Sequence, residues 1–257
     1  MVPDKLPISV VLLTRNEERN IRACLLSCDF AEEFIVVDDG SSDHTREIAQ
    51  EMGAQVFQRS LKGDWGAQKR FAIAQASHPW ILLIDADERV TSQLRESIQR
   101  VMADTDEQNA YLIQRENHFF SGEATHGILR PDWVLRFLPK EGSSVTGQVH
   151  EKVTTPFPLK RLKGCFRHYP YDSWDSYFRK FDKYTKLAAE KYLAEGRSCH
   201  FVTDILLRPL WAFFKVYFIN RGFLDGKLGF IFSVNHYFYT MAKYVRYYYL
   251  KNYGGKI

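Results

Sequence analysis

The sequence predicts an α/β fold with a mostly parallel central sheet, followed by a C-terminal helical extension. Three observations support this prediction. Short apolar runs alternate with helical patterns over the first 90 residues, which is typical of strands joined by crossover helices. Polar clusters follow several of these runs directly. From about residue 173 onward, apolar side chains recur at three- and four-residue steps, the spacing of one helix face.

Four apolar runs in the first part of the chain predict strands. They span residues 8–13, 34–37, 55–58 and 80–84. The first is continuous and rich in β-branched residues, as expected for a strand buried on both faces. Shorter runs after residue 110 predict further strands between loops that contain Gly and Pro, and residues 201–219 and 228–250 predict two long helices.

The polar clusters lie at residues 14–17, 38–43 and 85–88, where three predicted strands end. In open α/β sheets, ligands bind beyond the carboxyl ends of the strands. We therefore expect the three clusters to meet around one ligand.

The pair Asp85 and Asp87 is the candidate metal site. In an extended segment, side chains two residues apart point the same way. Two carboxylates on one side suit Mg²⁺ or Mn²⁺, whose remaining positions water and phosphate would fill. The alternative is a pair of solvated acids near the start of the next helix.

The pair Asp38 and Asp39 also has a structural interpretation and a functional one. It could form a turn with capping acids. It could also bind a nucleotide, with one carboxylate accepting a hydrogen bond from a pyrimidine N–H and the other contacting ribose. Neither acidic cluster decides between these interpretations alone, but their joint placement favours binding.

Four motifs occur in order along residues 7–90: ISVVLLTRNEE, FIVVDDGSSDHT, GDWGAQKRFAIA and WILLIDADE. The set resembles the family-2 glycosyltransferases, which are inverting enzymes with a Rossmann-like fold of the GT-A kind. Two later segments, WVLRFL at 133–138 and GQVHE at 147–151, narrow the resemblance. With the aromatic tail, they are similar to bacterial lipopolysaccharide inner-core β-glucosyltransferases.

The resemblance implies a UDP-sugar donor and assigns expected roles to individual residues. The first loop would cradle uracil and ribose, the second would read the base, the start of the third helix would close over the nucleotide, and the last acids would bind the metal and diphosphate. In that order, the matching residues are Thr14, Arg15, Asn16 and Glu17; Asp39 as the acid that reads the base, with Asp38 beside it; Asp64, Gln68 and Lys69; and Asp85 and Asp87. The Gln68-Lys69-Arg70 segment departs from the Arg-Asn form that is common in the family at this position.

Inversion by a single displacement needs a carboxylate that takes the proton of the acceptor hydroxyl. The expected Glu-Asp pair is missing from the acceptor-side loop. We predict Glu151 as the base, with His150 as a metal ligand or as the residue that orients the diphosphate. The alternative is an exposed strand-end acid beside a core histidine, and Glu88 and Asp132 are reserve candidates for the base.

The predicted domains are a catalytic region over residues 1–170 and a helical region over 171–257. Residues 1–90 would bind the nucleotide sugar and 91–170 the acceptor. After Gly196, nine Lys or Arg residues accompany two Asp residues. Basic and aromatic side chains together favour a peripheral position on an anionic inner-membrane surface, although packing on the sheet or on a second subunit is the alternative.

Other features of the sequence restrict the expected cellular location and the expected partners. The four cysteines form no C-x-x-C pair, which favours reduced thiols in the cytoplasm. No signal peptide or spanning segment is expected, and no nucleic-acid-binding pattern accompanies the basic residues. The expected acceptor is a lipopolysaccharide core or another lipid-linked glycan.

Two other functions are compatible with an α/β fold of this kind or with sugar-nucleotide binding. A sugar-1-phosphate nucleotidyltransferase would carry a glycine-rich loop after the first strand, where this sequence has Thr14 to Glu17. A non-catalytic sugar-nucleotide-binding protein would be expected to lack the metal ligands, but Asp85 and Asp87 are both present.

Overall fold

The computed structural model describes residues 5–104, 108–119, 122–123, 126–129, 131–147, 151–171 and 173–254. The chain divides into two compact units. The first comprises residues 1–116 and 132–168, and the second comprises 117–131 and 169–257. The predicted boundary after residue 170 stays a prediction, and the compact units differ from it mainly in grouping 117–131 with the helices.

The parallel part of the sheet lies in the first unit. In chain order its elements are β1 (Leu6–Thr14), α1 (Ile21–Ser27), β2 (Ala31–Asp38), α2 (Thr45–Glu51), β3 (Gln55–Gln58), α3 (Trp65–Gln75) and β4 (Trp80–Leu83). The spatial order is β3-β2-β1-β4, with parallel pairing throughout. The alternating strand and helix pattern of the sequence is therefore confirmed as crossover connections.

The sheet continues beyond β4 with strands that pair antiparallel. The further elements are β5 (Glu88–Val90), α4 (Ser92–Ala103), β6 (Ala110–Phe119), β7 (Gly122–Glu123), β8 (Asp132–Pro139), β9 (Ser144–Thr146), β10 (Lys152–Thr154) and β11 (Leu159–Tyr171). Strand β8 pairs with β4 and β6, β5 pairs with β11, and β9 and β10 form a separate hairpin. The predicted fold class, GT-A with a C-terminal helical extension, is confirmed.

Strand β1 is the centre of the first unit because both of its faces are covered. Val10 and Leu12 belong to a core cluster that includes residues of α1 and α4. Val11, between them, points to the other face and joins a cluster with Ala72 and Ile73 of α3. Since successive side chains of a strand alternate between faces, the continuous apolar run of β1 supplies both cores.

The second unit is mainly helical. It contains α5 (Trp174–Ala194), π-helical turns at Phe201–Leu207 and Lys215–Ile219 on either side of α6 (Arg208–Phe214), short 3-10 helices at Gly127–Leu129 and Gly222–Asp225, and α7 (Gly226–Tyr253). A capping box between Ser173 and Ser176 begins α5. Arg246 of α7 binds the Asp182 carboxylate of α5 at 2.5 Å. In the described parts of the chain, no helix is both long and apolar enough to span a bilayer.

Candidate active site

The carboxyl ends of β1, β2 and β4 meet at one edge of the sheet. Thr14, the last residue of β1, stands in register with Asp38, the last residue of β2. The Asp39 amide donates to the Thr14 carbonyl at 2.9 Å, and the Ile84 amide beyond β4 donates to the Val11 carbonyl at 3.2 Å. The loops that carry the predicted site residues therefore leave neighbouring strands.

Asp38 is fully buried and hydrogen-bonded within the protein. Its carboxylate accepts hydrogen bonds from the Ser41 amide at 2.9 Å and the Thr14 hydroxyl at 3.2 Å, and also from the Ser41 hydroxyl. These bonds tie the end of β1 to the loop after β2. Asp38, which the sequence predicted to lie beside the nucleotide, thus holds the loop from inside.

The first loop is fastened to the same segment. Asn16 adopts a positive φ of 56°, and its side-chain oxygen accepts from the Ser42 amide at 2.8 Å. The Glu17 amide donates to the Thr45 hydroxyl at 2.7 Å. These bonds connect the first loop to the segment after β2 at two points, so the protein's own hydrogen bonds hold the two loops together.

Asp39 faces an open cleft. One carboxylate oxygen lies 3.0 Å from Arg15, and the other accepts from the Leu61 amide at 2.7 Å. The cleft has a volume of about 500 Å³. It is lined by Arg15, Asp39, Gly40, Arg46, Gln58, Arg59 and Ser60. Arginines around a carboxylate acceptor suit a ligand that is anionic and also carries a hydrogen-bond donor.

The three residues predicted at the start of α3 have different partners within the first unit. Asp64 is the N-cap and accepts from the Ala67 amide at 2.7 Å. Gln68 is buried, donates to the Arg59 carbonyl at 2.6 Å and accepts from the Arg59 guanidinium. Lys69 instead forms an ion pair with Glu151, with 2.8 Å between Nζ and Oε1.

The β9–β10 hairpin brings Glu151 to Lys69. Arg70 donates to the Val145 carbonyl of β9 at 2.7 Å. A Cβ atom added to Gly66 would lie 1.9 Å from the Gly147 carbonyl oxygen, so only glycine permits this approach of α3 to the hairpin. His150 lies outside the described residues, and its predicted role stays a prediction.

The segment from Asp85 to Glu88 forms a turn, because the Glu88 amide donates to the Asp85 carbonyl at 2.9 Å. The expectation of an extended segment was therefore wrong, since β4 ends at Leu83. The two aspartates bind different partners. Asp85 lies 2.6 Å from Arg136, and Asp87 lies 3.4 Å from Nε2 of His168.

Buried charge surrounds this acidic turn. Burial opposes ionisation of Asp85, but Arg136, followed by Lys69, outweighs it and holds the pKa of Asp85 below its ordinary value. Burial and the charge of Asp85 act in the opposite direction on Glu88 and raise its pKa to about 7. One oxygen of Glu88, Oε1, is buried without a hydrogen-bond partner, with Arg115 at 3.6 Å.

The reserve candidates for the base differ in accessibility. Glu88 is completely buried, whereas Asp132 is half-exposed and receives two bonds from Arg115, at 3.0 and 2.7 Å. The sequence interpretation did not assign roles to Arg115 or Arg136. A signal was present for Arg136, because an arginine inside the apolar run of β8 needs a carboxylate partner.

The acidic turn fits a divalent cation held jointly by protein and ligand. Within the described ranges, no group of three His, Cys, Asp or Glu side chains is placed to hold a metal ion. Asp85 and Asp87 still offer two carboxylates, and Asp85 keeps about 40% of its side chain exposed. Mg²⁺ is commonly bound through one or two carboxylates together with substrate phosphates and water, and this donor set meets that requirement.

Comparison with known proteins identifies the family and the class of enzyme. The family model described as glycosyl transferase family 2 matches residues 9–161, which is more than half of the chain. The chain therefore belongs to glycosyl transferase family 2 and is a glycosyltransferase, as the motifs predicted.

Individual relatives extend the similarity beyond the first unit. The lipopolysaccharide core biosynthesis glycosyltransferase LpsC of Rhizobium meliloti (strain 1021) is 30% identical over 238 residues, covering 90% of this chain and 87% of LpsC. An uncharacterized glycosyltransferase of Rickettsia typhi (strain ATCC VR-144 / Wilmington) is 27% identical, covering 93% of this chain and 85% of its own.

Among solved structures, glucosyl-3-phosphoglycerate synthase from Mycobacterium tuberculosis is 23% identical and covers 46% of this chain and 45% of that chain, with a TM-score of 0.35. A similarity of this size carries no argument about the substrates of the present chain.

Proposed function

We propose that this glycosyltransferase transfers a hexose, specifically glucose, from a UDP-sugar to a lipopolysaccharide core or another lipid-linked glycan, with inversion at the anomeric carbon. The observation that carries the proposal is the set of acids and cations at the ends of β1, β2 and β4. The similarity to LpsC, which includes most of the helical unit, supports the choice of acceptor class.

The nucleotide would bind in the cleft beside Asp39. The free lone pairs of the Asp39 carboxylate can accept the N–H of uracil, and Arg15 and Arg59 line the same cleft with positive charge. Thr14, Asn16 and Glu17 would shape this cleft through the loop, while Asp38, Asp64 and Gln68 hold its walls from within.

Asp85 and Asp87, with His150 as a third proposed ligand, would hold Mg²⁺ or Mn²⁺ against the diphosphate. When bound, such a cation neutralises the charge that develops on the leaving group. Arg136 contributes positive charge at the same turn and holds the Asp85 carboxylate at 2.6 Å.

Glu151 would act as the general base. Its carboxylate takes the proton from the acceptor hydroxyl while that oxygen forms a bond to the anomeric carbon, and the bond from this carbon to the UDP oxygen breaks. UDP leaves with the bonding electron pair. The ion pair with Lys69 fixes the orientation of Glu151, and α3 fixes Lys69.

The second unit would place the enzyme on the cytoplasmic face of an anionic inner membrane. We define its exposed aromatic face as a set of side chains that are each about half exposed: Leu210, Trp211, Phe214, Phe218, Phe223 and Leu224. Trp211 stacks on Phe214 at 5.7 Å, and Phe214 lies 5.0 Å from Phe218. Exposed Arg221 lies within the same stretch of sequence and exposed Lys227 follows it, which suits an interface of lipid tails and anionic headgroups.

The Glu151→Gln substitution tests the proposed chemistry. Gln keeps the size of the side chain but cannot take a proton at neutral pH, so we expect turnover to fall about 100-fold or more. The measurement is release of UDP from UDP-glucose with a heptose-containing lipid-linked acceptor. Affinity for UDP-glucose, measured by calorimetry, should remain within a few-fold of the wild type.

The matched control is Glu96→Gln, an exposed glutamate on α4 that belongs to no proposed site. It should leave turnover unchanged. Wild-type turnover of a correctly folded Glu151→Gln variant would rule out Glu151 as the base.

A further inference from the structure

The second unit contains a cavity that the proposed reaction leaves unused. Its volume is about 400 Å³, within the range of small-molecule binding sites. It is bounded by α5, α7, the π-helical turn at Lys215–Ile219 and the 3-10 helix at Gly127–Leu129. The lining side chains on which the inference rests are Lys180, Phe181, Tyr184, Lys215, His236 and Tyr239.

Aromatic rings form one wall of this cavity. Tyr239 packs edge-on against Phe181, with 5.6 Å between centroids, and lies nearly parallel to the ring of His236 at 6.0 Å. These contacts hold the rings of α5 and α7 in fixed orientations. Rigid aromatic surfaces present large apolar faces at low entropic cost, and the C–H face of a pyranose ring can pack on such a surface.

Two lysines give the cavity its charge. Lys180 donates to the Pro170 carbonyl at 2.7 Å, which leaves further N–H groups on the ammonium, and Lys215 is exposed. Burial, followed by the charges of Lys243 and Lys215, lowers the pKa of His236 to about 4, so this ring is neutral at neutral pH. Among the described residues that line the cavity, none is acidic.

We propose that this cavity binds a sugar of the acceptor glycan that carries a phosphate or carboxylate group. The aromatic wall would take the sugar ring, and Lys180 and Lys215 would take the anion. The inference rests on the proposed function, because it concerns the acceptor of that reaction. Without the anion, the two lysines would have no acidic partner in the cavity, and without the ring the aromatic wall would face water.

Direct binding tests the proposal independently of turnover. Glucose 6-phosphate and glucuronate serve as anionic sugar probes, with glucose and inorganic phosphate as the two half-ligands. Calorimetry should show that both anionic sugars bind more tightly than either half-ligand. Saturation-transfer NMR should show contact between aromatic protons and the ring protons of the sugar.

The double substitution Lys180→Gln/Lys215→Gln should weaken binding of both anionic sugars about 100-fold, since it removes two charged hydrogen bonds and each costs about a tenfold change in affinity. The control is Lys183→Gln/Lys191→Gln, which removes two exposed lysines of α5 that do not line the cavity. This control should bind as the wild type does.

Some results would overturn the site. The control variant could weaken binding of the anionic sugars as much as the cavity variant does, or inorganic phosphate could bind as tightly as glucose 6-phosphate. A third such result is the absence of saturation transfer from aromatic protons to the ring protons of the sugar. With the acceptor glycan, the cavity variant should raise KM and leave kcat and the affinity for UDP-glucose unchanged. If the wild-type protein did not bind UDP-glucose, the proposed function would be rejected. The binding of anionic sugars in the cavity would be unaffected by that result.

Discussion

The two compact units place their charged side chains differently. In the first unit, charges at the strand ends are buried and paired, as with Arg136 between Asp85 and Glu88. In the second, basic residues such as Lys215 and Arg221 are exposed, and aromatic side chains lie at the surface beside them. The difference fits the proposed roles, in which the first unit binds a small anionic donor and the second binds larger partners.

The buried charge of the first unit predicts a pH effect on stability. Glu88 has an ordinary pKa of 4.5 and a pKa of about 7 in the folded protein. Its stabilising contribution is complete below about pH 4.5 and is lost as pH rises through 7. At 1.36 kcal/mol for each unit of pKa, the loss is at most about 3 kcal/mol.

The Glu88→Gln variant removes this titration and should be more stable relative to the wild type at pH 8 than at pH 5. Urea unfolding in EDTA at both pH values measures the difference, with Glu96→Gln as the control. If stability depended on pH in the same way in the wild type and in Glu88→Gln, Glu88 would not be the buried acid responsible. The contrast between buried charge in the first unit and exposed charge in the second would then have no measured effect on stability.

A smaller effect is expected for the second unit, because its exposed aromatic face should serve binding more than stability. Trp211→Ser removes a ring that is 58% exposed. We expect the affinity for vesicles containing phosphatidylglycerol to fall about tenfold, from the lost apolar contact area. Sedimentation with vesicles measures this, and urea unfolding should change little.

Leu26→Ser provides the matched control, since Leu26 of α1 is 55% exposed on the first unit. It should leave vesicle binding unchanged. Equal losses in both variants would mean that the aromatic face has no special part in membrane binding.

The sequence predicted the parallel strands well, because a strand buried on both faces requires a continuous apolar run. The parallel pairing and the meeting of the strand ends followed from crossover connections, whereas the spatial order β3-β2-β1-β4 was not part of the prediction. The residue types alone did not separate Asp38 from Asp39, and it was the resemblance that singled out Asp39 as the acid that reads the base. Asp38 and Asp39 are adjacent and chemically alike, and the register with Thr14 turns Asp38 inward and leaves Asp39 at the surface.

The acidic turn shows a second limit. The spacing of Asp85 and Asp87 predicts side chains on one side only if the strand continues, and β4 ends two residues before Asp85. The partners Arg136 and His168 come from β8 and β11, far along the chain, and their approach depends on antiparallel pairing that local patterns do not specify. The helical unit was predicted as helices, but its cavity depends on how α5 and α7 pack.

The central claim is that the acidic turn and the Asp39 cleft bind one UDP-sugar together with a divalent cation. Calorimetric titration of UDP-glucose with and without Mn²⁺ tests it most directly, on the wild type and on Asp87→Asn. The account predicts that Mn²⁺ tightens binding about tenfold or more in the wild type, and that this gain disappears in the folded variant. An equal Mn²⁺ effect in both proteins, or none in the wild type, would contradict it.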